Sequence, residues 1–169
     1  MAQTPIGILF VCTGNICRSP TAEGVMRAMI EQAGWSDWVF LDSAGTHDYH
    51  VGEPPDPRTL RAACARGYDL SALRARQIRR DDFFRFHWIL AMDRGHLAIL
   101  ERLRPPGAQA TVALFLQKSR RQPNGEVPDP YYGGPEGFAA VLDLIEEGCS
   151  GWLTWLAEYR AQHLDAAPR

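Results

Sequence analysis

Ile6-Gly7-Ile8-Leu9-Phe10-Val11-Cys12-Thr13-Gly14-Asn15-Ile16-Cys17-Arg18-Ser19-Pro20 passes from an apolar run through a small polar turn to a helix start. Ile6 to Val11 is a near-continuous apolar run, the pattern of a strand buried on both faces of a parallel sheet. Ser19-Pro20 reads as a helix N-cap followed by proline at the first helical position. Ala22, Val25, Met26, Met29 and Ala33 then recur at helical spacing, and Gly34 stops the helix. Strand, tight loop and helix in that order make the first half of a βαβ unit.

Working outward, Val39 to Ala44 reads as a second short strand, followed by a polar, Pro-rich loop from Gly45 to Pro57 and a helix to about Arg66. His87 to Met92 and Thr111 to Leu116 read as two further buried strands, with a helix from about Asp93 to Leu103 between them. Phe138, Val141, Leu142, Ile145, Cys149, Trp152, Leu153, Leu156 and Tyr159 trace one face of a closing helix, weakened in propensity by Gly148 and Gly151. Strands alternating with helices imply right-handed crossovers and a parallel sheet covered on both sides. Ligands of such sheets bind beyond the carboxyl ends of the strands, here residues 12–19, 43–58 and 117–134.

The first of these segments carries Cys12-x5-Arg18. That spacing alone says little, because Arg is abundant in the chain; its setting between a strand and a helix gives it meaning. Gly14 and Asn15 tolerate left-handed backbone, so the loop can curl its N–H groups inward. The helix after it adds its positive end, and Arg18 offers a planar fork matched to a tetrahedral oxyanion. Thr13, Gly14, Asn15, Ile16, Cys17 and Arg18 would then cradle a phosphate with the Cys12 sulfur at its base, and such electropositive surroundings favour a nucleophilic thiolate. The loop is not a nucleotide-binding one, since the Gly-Lys-Ser/Thr ending is absent. A leaving alkoxide or phenolate needs a proton, and Asp129-Pro130-Tyr131-Tyr132 supplies the best carboxylic acid, with two aromatics to hold an aryl group. Tyr49 is a third candidate for that aromatic wall. His47, Asp48 and His50 read as a solvated loop, and no Cys/His set has closed zinc spacing, so neither metal nor cofactor is expected.

Composition narrows the field. The 169 residues are 46% hydrophobic and 22% charged, which excludes a disordered or fibrous chain and suits a single domain spanning 1–169. Eighteen basic against twenty acidic residues give a formal charge of −2, so no global basic excess exists to bind nucleic acid or an anionic membrane. Four cysteines are too few for a disulfide scaffold, no apolar run approaches a membrane span, and Met1–Pro5 carries no Lys or Arg. A reducing compartment, the cytoplasm, is the expectation.

On the Val11-to-Pro20 and Asp129-Pro130-Tyr131 segments, supported by Asp42-Ser43-Ala44-Gly45-Thr46 and Arg76-Gln77-Ile78, the chain resembles the low-molecular-weight protein tyrosine phosphatases over nearly its whole length. The resemblance implies a three-layer α/β/α fold with a four-stranded parallel sheet in order 2-1-3-4. It implies metal-free, two-step hydrolysis of phosphotyrosine and small aryl phosphates. Cys12 would attack phosphorus while Asp129 protonates the leaving oxygen; Asp129 would then activate water against the phosphocysteine. Arg18 would hold the equatorial oxygens, Ser19 would assist thiolate release, and Asn15 and Ser43 would support the strained turn. Partners would be phosphotyrosine-containing proteins, with a tyrosine kinase as a candidate. One departure stands out: Leu73 lies near the place of a family histidine that pairs with an aspartate after the third strand, so the surviving Asp93 is not expected to form that pair.

Three rival readings share the scaffold. Arsenate reduction needs a resolving cysteine relay, for which residues 65–148, free of Cys, leave no place. Related arginine phosphatases favour Thr where this chain has Ile16, a side chain better suited to an aromatic ring. A silent phosphotyrosine-binding module would not need nucleophile, arginine and acid together. Cys17 has packing beneath the loop as its plainer role; the resemblance implies a second, as a redox partner that traps oxidised Cys12 in a disulfide.

Overall fold

The computed structural model describes residues 5–163. Strand β1 (Ile6–Cys12) is followed by helix α1 (Arg18–Ala33), strand β2 (Val39–Gly45), helix α2 (Pro57–Cys64) and the single turn α3 (Asp82–Arg85). Strand β3 (Trp88–Ala91), helix α4 (Arg94–Leu103), strand β4 (Thr111–Leu114), a 3₁₀ turn (Phe115–Lys118) and helix α5 (Pro135–His163) complete it. All pairings are parallel and the strand order is β2-β1-β3-β4, the order that the family resemblance implies.

β1 is central and buried at every position. Its alternation sorts two cores. Ile6, Ile8, Phe10 and Cys12 face α1 and α5, with Val25, Met26, Ile145 and Trp152. Leu9 and Val11 face the other way, onto Phe83 of α3, Phe86 just after it and Leu100 of α4. Large aliphatic and aromatic side chains buried in this way contribute roughly 1.5–3 kcal/mol each, the main term holding the sheet between its helices. Cys12 therefore closes the α1-facing row at the carboxyl end of the strand. No helix among the described residues is long and apolar enough to cross a membrane.

Several boundaries differ from the sequence expectation. Helix α1 starts at Arg18, with Cys17 at its cap position and no side-chain cap, one turn-fraction earlier than Ser19-Pro20 suggested. The Ser19 hydroxyl is used elsewhere, as shown below. The expected strand through Leu116 ends at Leu114 because the chain tightens into the 3₁₀ turn. The expected α2 to Arg66 ends at Cys64. The α3 turn has no strong local signal. Helix α5 runs unbroken through both glycines, and their role is close approach: a Cβ on Gly151 would lie 2.1 Å from the Lys118 carbonyl oxygen, and one on Gly148 would lie 2.3 Å from the Phe115 ring.

Candidate active site

The 12–19 loop, the 45–53 loop and the segment around Asp129 meet at the carboxyl ends of β1 and β2. They line a cleft of about 220 Å³ that includes Cys12, Arg18, Ile16, Tyr49, Asp129, Tyr131 and Tyr132. The chain after β2 runs alongside this loop: Thr46 N donates to the Cys12 carbonyl at 2.8 Å and His47 N to the Thr13 carbonyl at 3.0 Å.

Asn15 has φ +59°, the one non-glycine residue in the left-handed region among those described. That conformation costs free energy unless its surroundings enforce it. They do so through the side chain, which is 2% exposed. Asn15 Nδ2 donates to Ser19 Oγ at 2.8 Å and to Ser43 Oγ at 2.9 Å, while Oδ1 accepts the Arg76 N–H at 3.0 Å. Ser43 Oγ donates in turn to Glu23 Oε1 at 2.6 Å, and Glu23, though buried, is paired with Arg27 at 2.7 Å. The support thus reaches from the loop through β2 to the first turns of α1.

Ser19 completes the setting of Cys12. Its hydroxyl lies 3.0 Å from Cys12 Sγ, and its backbone N–H points at the same sulfur from 3.5 Å. The positive end of α1 is therefore aimed at the Cys12 sulfur. Arg18 is buried at 3% exposure. Nη1 donates to Asp93 Oδ2 at 2.9 Å and to the Val127 carbonyl at 3.0 Å, and Nη2 lies 3.6 Å from Asp129 Oδ2. The guanidinium is held by Asp93 after β3 and by Val127 in the segment before α5, and it also lines the cleft.

Asp93 carries this second layer, and sequence reasoning gave it no role. Oδ1 caps α4 by accepting the His96 N–H at 2.9 Å. Burial would raise its carboxyl, yet the His96 N–H, the His96 ring and Arg18 outweigh that and hold it below the usual carboxylate range. In place of a histidine near Leu73, the neighbouring imidazole is His96, whose Nδ1 is 3.2 Å from Asp93 Oδ1. Its Nε2 shares a 2.7 Å hydrogen bond with Thr13 Oγ1 in the loop itself. Burial, reinforced by Arg18, lowers the His96 pKa to about 4, so the ring is neutral near pH 7.

The cleft wall is open. Tyr132 is 89% exposed and Tyr49 68%, with Tyr49 stacked on His47 at 5.0 Å between centroids. His50 also lines the cleft, against Gly14, and its Nδ1 meets Glu53 Oε2 at 2.5 Å. Among the described residues no group of His, Cys, Asp and Glu could hold a metal ion. Asp129 is part-exposed, and its Oδ1 accepts the Tyr131 N–H at 3.0 Å, which turns the Asp-Pro-Tyr segment tightly beneath the cleft. Cys17 is buried, and that burial pushes its thiol up to about 12. Cys64 is exposed, while Cys149 lies buried in the α1–α5 core with its thiol raised by burial.

Such a loop, with a thiol and a buried arginine at the end of a central parallel strand, has the build of a cysteine-nucleophile oxyanion site. Residues 7–162 match the family model of low molecular weight phosphotyrosine protein phosphatases. The low molecular weight protein-tyrosine-phosphatase of Streptomyces coelicolor is 44% identical over 154 residues, covering 89% of this chain and 93% of that one. A crystal structure of protein tyrosine phosphatase from Entamoeba histolytica, with Hepes in its active site, superposes with a TM-score of 0.86 at 36% identity, covering 92% and 99% of the two chains. A Drosophila arginine phosphatase superposes with a TM-score of 0.82 at 31% identity, over 88% and 96%. The chain belongs to the low molecular weight phosphotyrosine protein phosphatase family and is a cysteine-dependent hydrolase.

Proposed function

We propose that this chain, acting as one catalytic domain in the cytoplasm, hydrolyses phosphotyrosine in proteins through a phosphocysteine on Cys12. The observation that carries the reading is the aim of the Ser19 N–H and hydroxyl at the Cys12 sulfur, opposite Asp129 across the same cleft. In the first step Cys12 Sγ forms a bond to phosphorus as the bond to the phenolic oxygen breaks. Asp129, in its acid form, gives that oxygen its proton. In the second step Asp129, now a carboxylate, takes a proton from water while the water oxygen attacks phosphorus and the Cys12 thiolate leaves. Ser19 Oγ stabilises the departing sulfur, and Arg18 with the loop N–H groups of 13–18 binds the three equatorial oxygens, whose charge is bidentate in demand. Asn15 and Ser43 hold the turn. Ile16, Tyr49, Tyr131 and Tyr132 form the wall for the aryl ring. Substrates are phosphotyrosine-containing proteins, a tyrosine kinase being a natural candidate among them.

The test is a leaving-group series on wild type, Cys12→Ser and Asp129→Asn, run without added metal and with chelator present. Cys12→Ser abolishes turnover, and Arg18→Lys fails too because it keeps charge and loses the fork. Asp129→Asn slows phosphotyrosine hydrolysis by roughly 10²–10⁴-fold, with a smaller loss for leaving groups of low pKa. Turnover retained in Cys12→Ser ends the nucleophile assignment. A phosphoarginine peptide run beside the phosphotyrosine peptide separates the two phosphatase readings, and the aromatic wall favours the latter.

A further inference from the structure

Asp129 sits on an irregular segment, and something must hold that segment against the phosphate loop if its carboxyl is to reach the leaving oxygen. The Asp129–Arg18 pair at 3.6 Å is too loose to do so alone. The structure offers a firmer connection on the far side of the cleft. Asp56 N donates to the Ile16 carbonyl at 2.9 Å, tying the start of α2 to the loop. The Asp56 carboxylate then grips Arg58 with both oxygens: Oδ1 accepts the Arg58 N–H at 2.8 Å and Nε at 3.1 Å, and Oδ2 accepts Nη2 at 3.0 Å. The grip holds the Asp56 carboxyl below the usual carboxylate range. So fixed, the guanidinium stands 5.2 Å from the Tyr131 ring centroid and 4.8 Å from that of Phe138 on α5. Tyr131, in turn, donates its backbone N–H to Asp129 Oδ1.

We propose that Arg58, braced by Asp56, is a positioning residue for the acid segment: it carries the registration of the phosphate loop, through the Tyr131 ring, to the Asp129 carboxyl. The inference rests on the reading of Asp129 as proton donor. The chain of contacts is continuous, from the Ile16 carbonyl through Asp56, Arg58 and Tyr131 to Asp129. A planar guanidinium suits both ends, since one edge takes the carboxylate and the face lies against the rings. Arg58 touches neither the reacting atoms nor the phosphate site, so its loss should show as misplaced acid and not as lost phosphate binding.

The experiment measures kcat and KM for Arg58→Gln and Arg58→Lys across aryl phosphates of graded leaving-group pKa, with Asp129→Asn and the Arg58→Gln/Asp129→Asn double variant alongside. Arg58→Gln should lower kcat/KM on phosphotyrosine, which reports phosphocysteine formation alone, about tenfold, less than the loss of the acid itself, and by much less for the most acidic leaving groups. Arg58→Lys, which keeps charge and fold but cannot grip both Asp56 oxygens, should show the same leaving-group trend at smaller amplitude. In the Asp129→Asn background Arg58→Gln should add almost nothing. Amide exchange across residues 129–133, read by mass spectrometry, should be several-fold faster in Arg58→Gln than in wild type. A loss in kcat/KM uniform across leaving groups, full additivity in the double variant, or unchanged exchange overturns the positioning role. If Asp129→Asn itself shows no leaving-group dependence, the acid assignment falls instead, and the exchange comparison still decides whether Arg58 holds the segment.

Discussion

Lowering the pH should cost this protein stability through one imidazole. His96 is 4% exposed, bound through Nε2 to Thr13 Oγ1 beneath the phosphate loop. Burial and then Arg18 disfavour its charged form, against the opposing pull of Asp93 and Asp129, and the result is a pKa of about 4 in place of 6.5. A native pKa below the unfolded one means that the unfolded chain binds the extra proton first. Stability from this group is therefore complete above pH 6.5, falls as pH drops from 6.5 toward 4, and stays lost below that. At about 1.36 kcal/mol per pH unit, the interval corresponds to about 3 kcal/mol, a large fraction of a typical domain's total.

The perturbation is His96→Gln, which keeps a polar side chain near Thr13 and does not titrate. The assay is urea unfolding of both proteins at steps between pH 7.5 and 4.5, with the variant's free energy subtracted from the wild type's at each pH. Carboxylates remote from residue 96 cancel in that difference, and Asp93, which the His96 ring helps to hold low, stays largely ionised in the wild type across the span. The wild-type advantage should shrink by about 2–3 kcal/mol over the span. Parallel curves, or a wild-type advantage that grows on acidification, would falsify the placement of a neutral histidine against Arg18.

Three further outcomes are expected. Asn15→Ala removes three hydrogen bonds and the left-handed preference at φ +59°, so urea unfolding should show a loss of about 2–4 kcal/mol, and Asn15→Gly, which restores only the backbone freedom, should recover less than half. Gly151→Ala should destabilise by roughly 1–3 kcal/mol despite its better helix propensity, because the new methyl meets the Lys118 carbonyl; equal or higher stability would contradict the contact. Peroxide should inactivate the wild type reversibly, Cys12 sulfenic acid condensing with the Cys17 thiol to a disulfide and water, whereas Cys17→Ser should keep most initial activity and recover poorly with dithiothreitol; a peptide map linking Cys12 to Cys64 or Cys149 would sink that pairing.

What the sequence made legible is what local physics writes. The apolar run of β1, the Gly14-Asn15 turn and the Gly34 stop are each decided within a few residues, and strand-helix alternation then leaves little choice of sheet. Local signals misled where a side chain had a distant use. Ser19 has the chemistry of an N-cap, yet its hydroxyl is taken by Cys12 and Asn15, so the helix starts without it. Gly148 and Gly151 look like helix breakers until the 3₁₀ turn from a different part of the chain is laid against them. Glu23 carries no signal in the sequence, and its burial is accounted for by Arg27 one turn on and by the Ser43 hydroxyl arriving from β2.

Asp93 shows why the layer behind Arg18 could not be read from the chain. An aspartate between a strand and a helix has a sufficient local explanation as a cap, and Oδ1 does serve that purpose for the His96 N–H. Its other oxygen holds an arginine 75 residues away, and that arginine is also fixed by a carbonyl at Val127, which carries no side-chain signal at all. The two uses are compatible because a carboxylate has two separately directed acceptors. The cap fixes the side chain's rotamer, and the rotamer fixes where the second oxygen meets Arg18. On the proposed reading of Arg18 as the phosphate-binding group, the geometry of that site therefore depends on helix α4 being capped, which gives a residue with an ordinary structural explanation a second use.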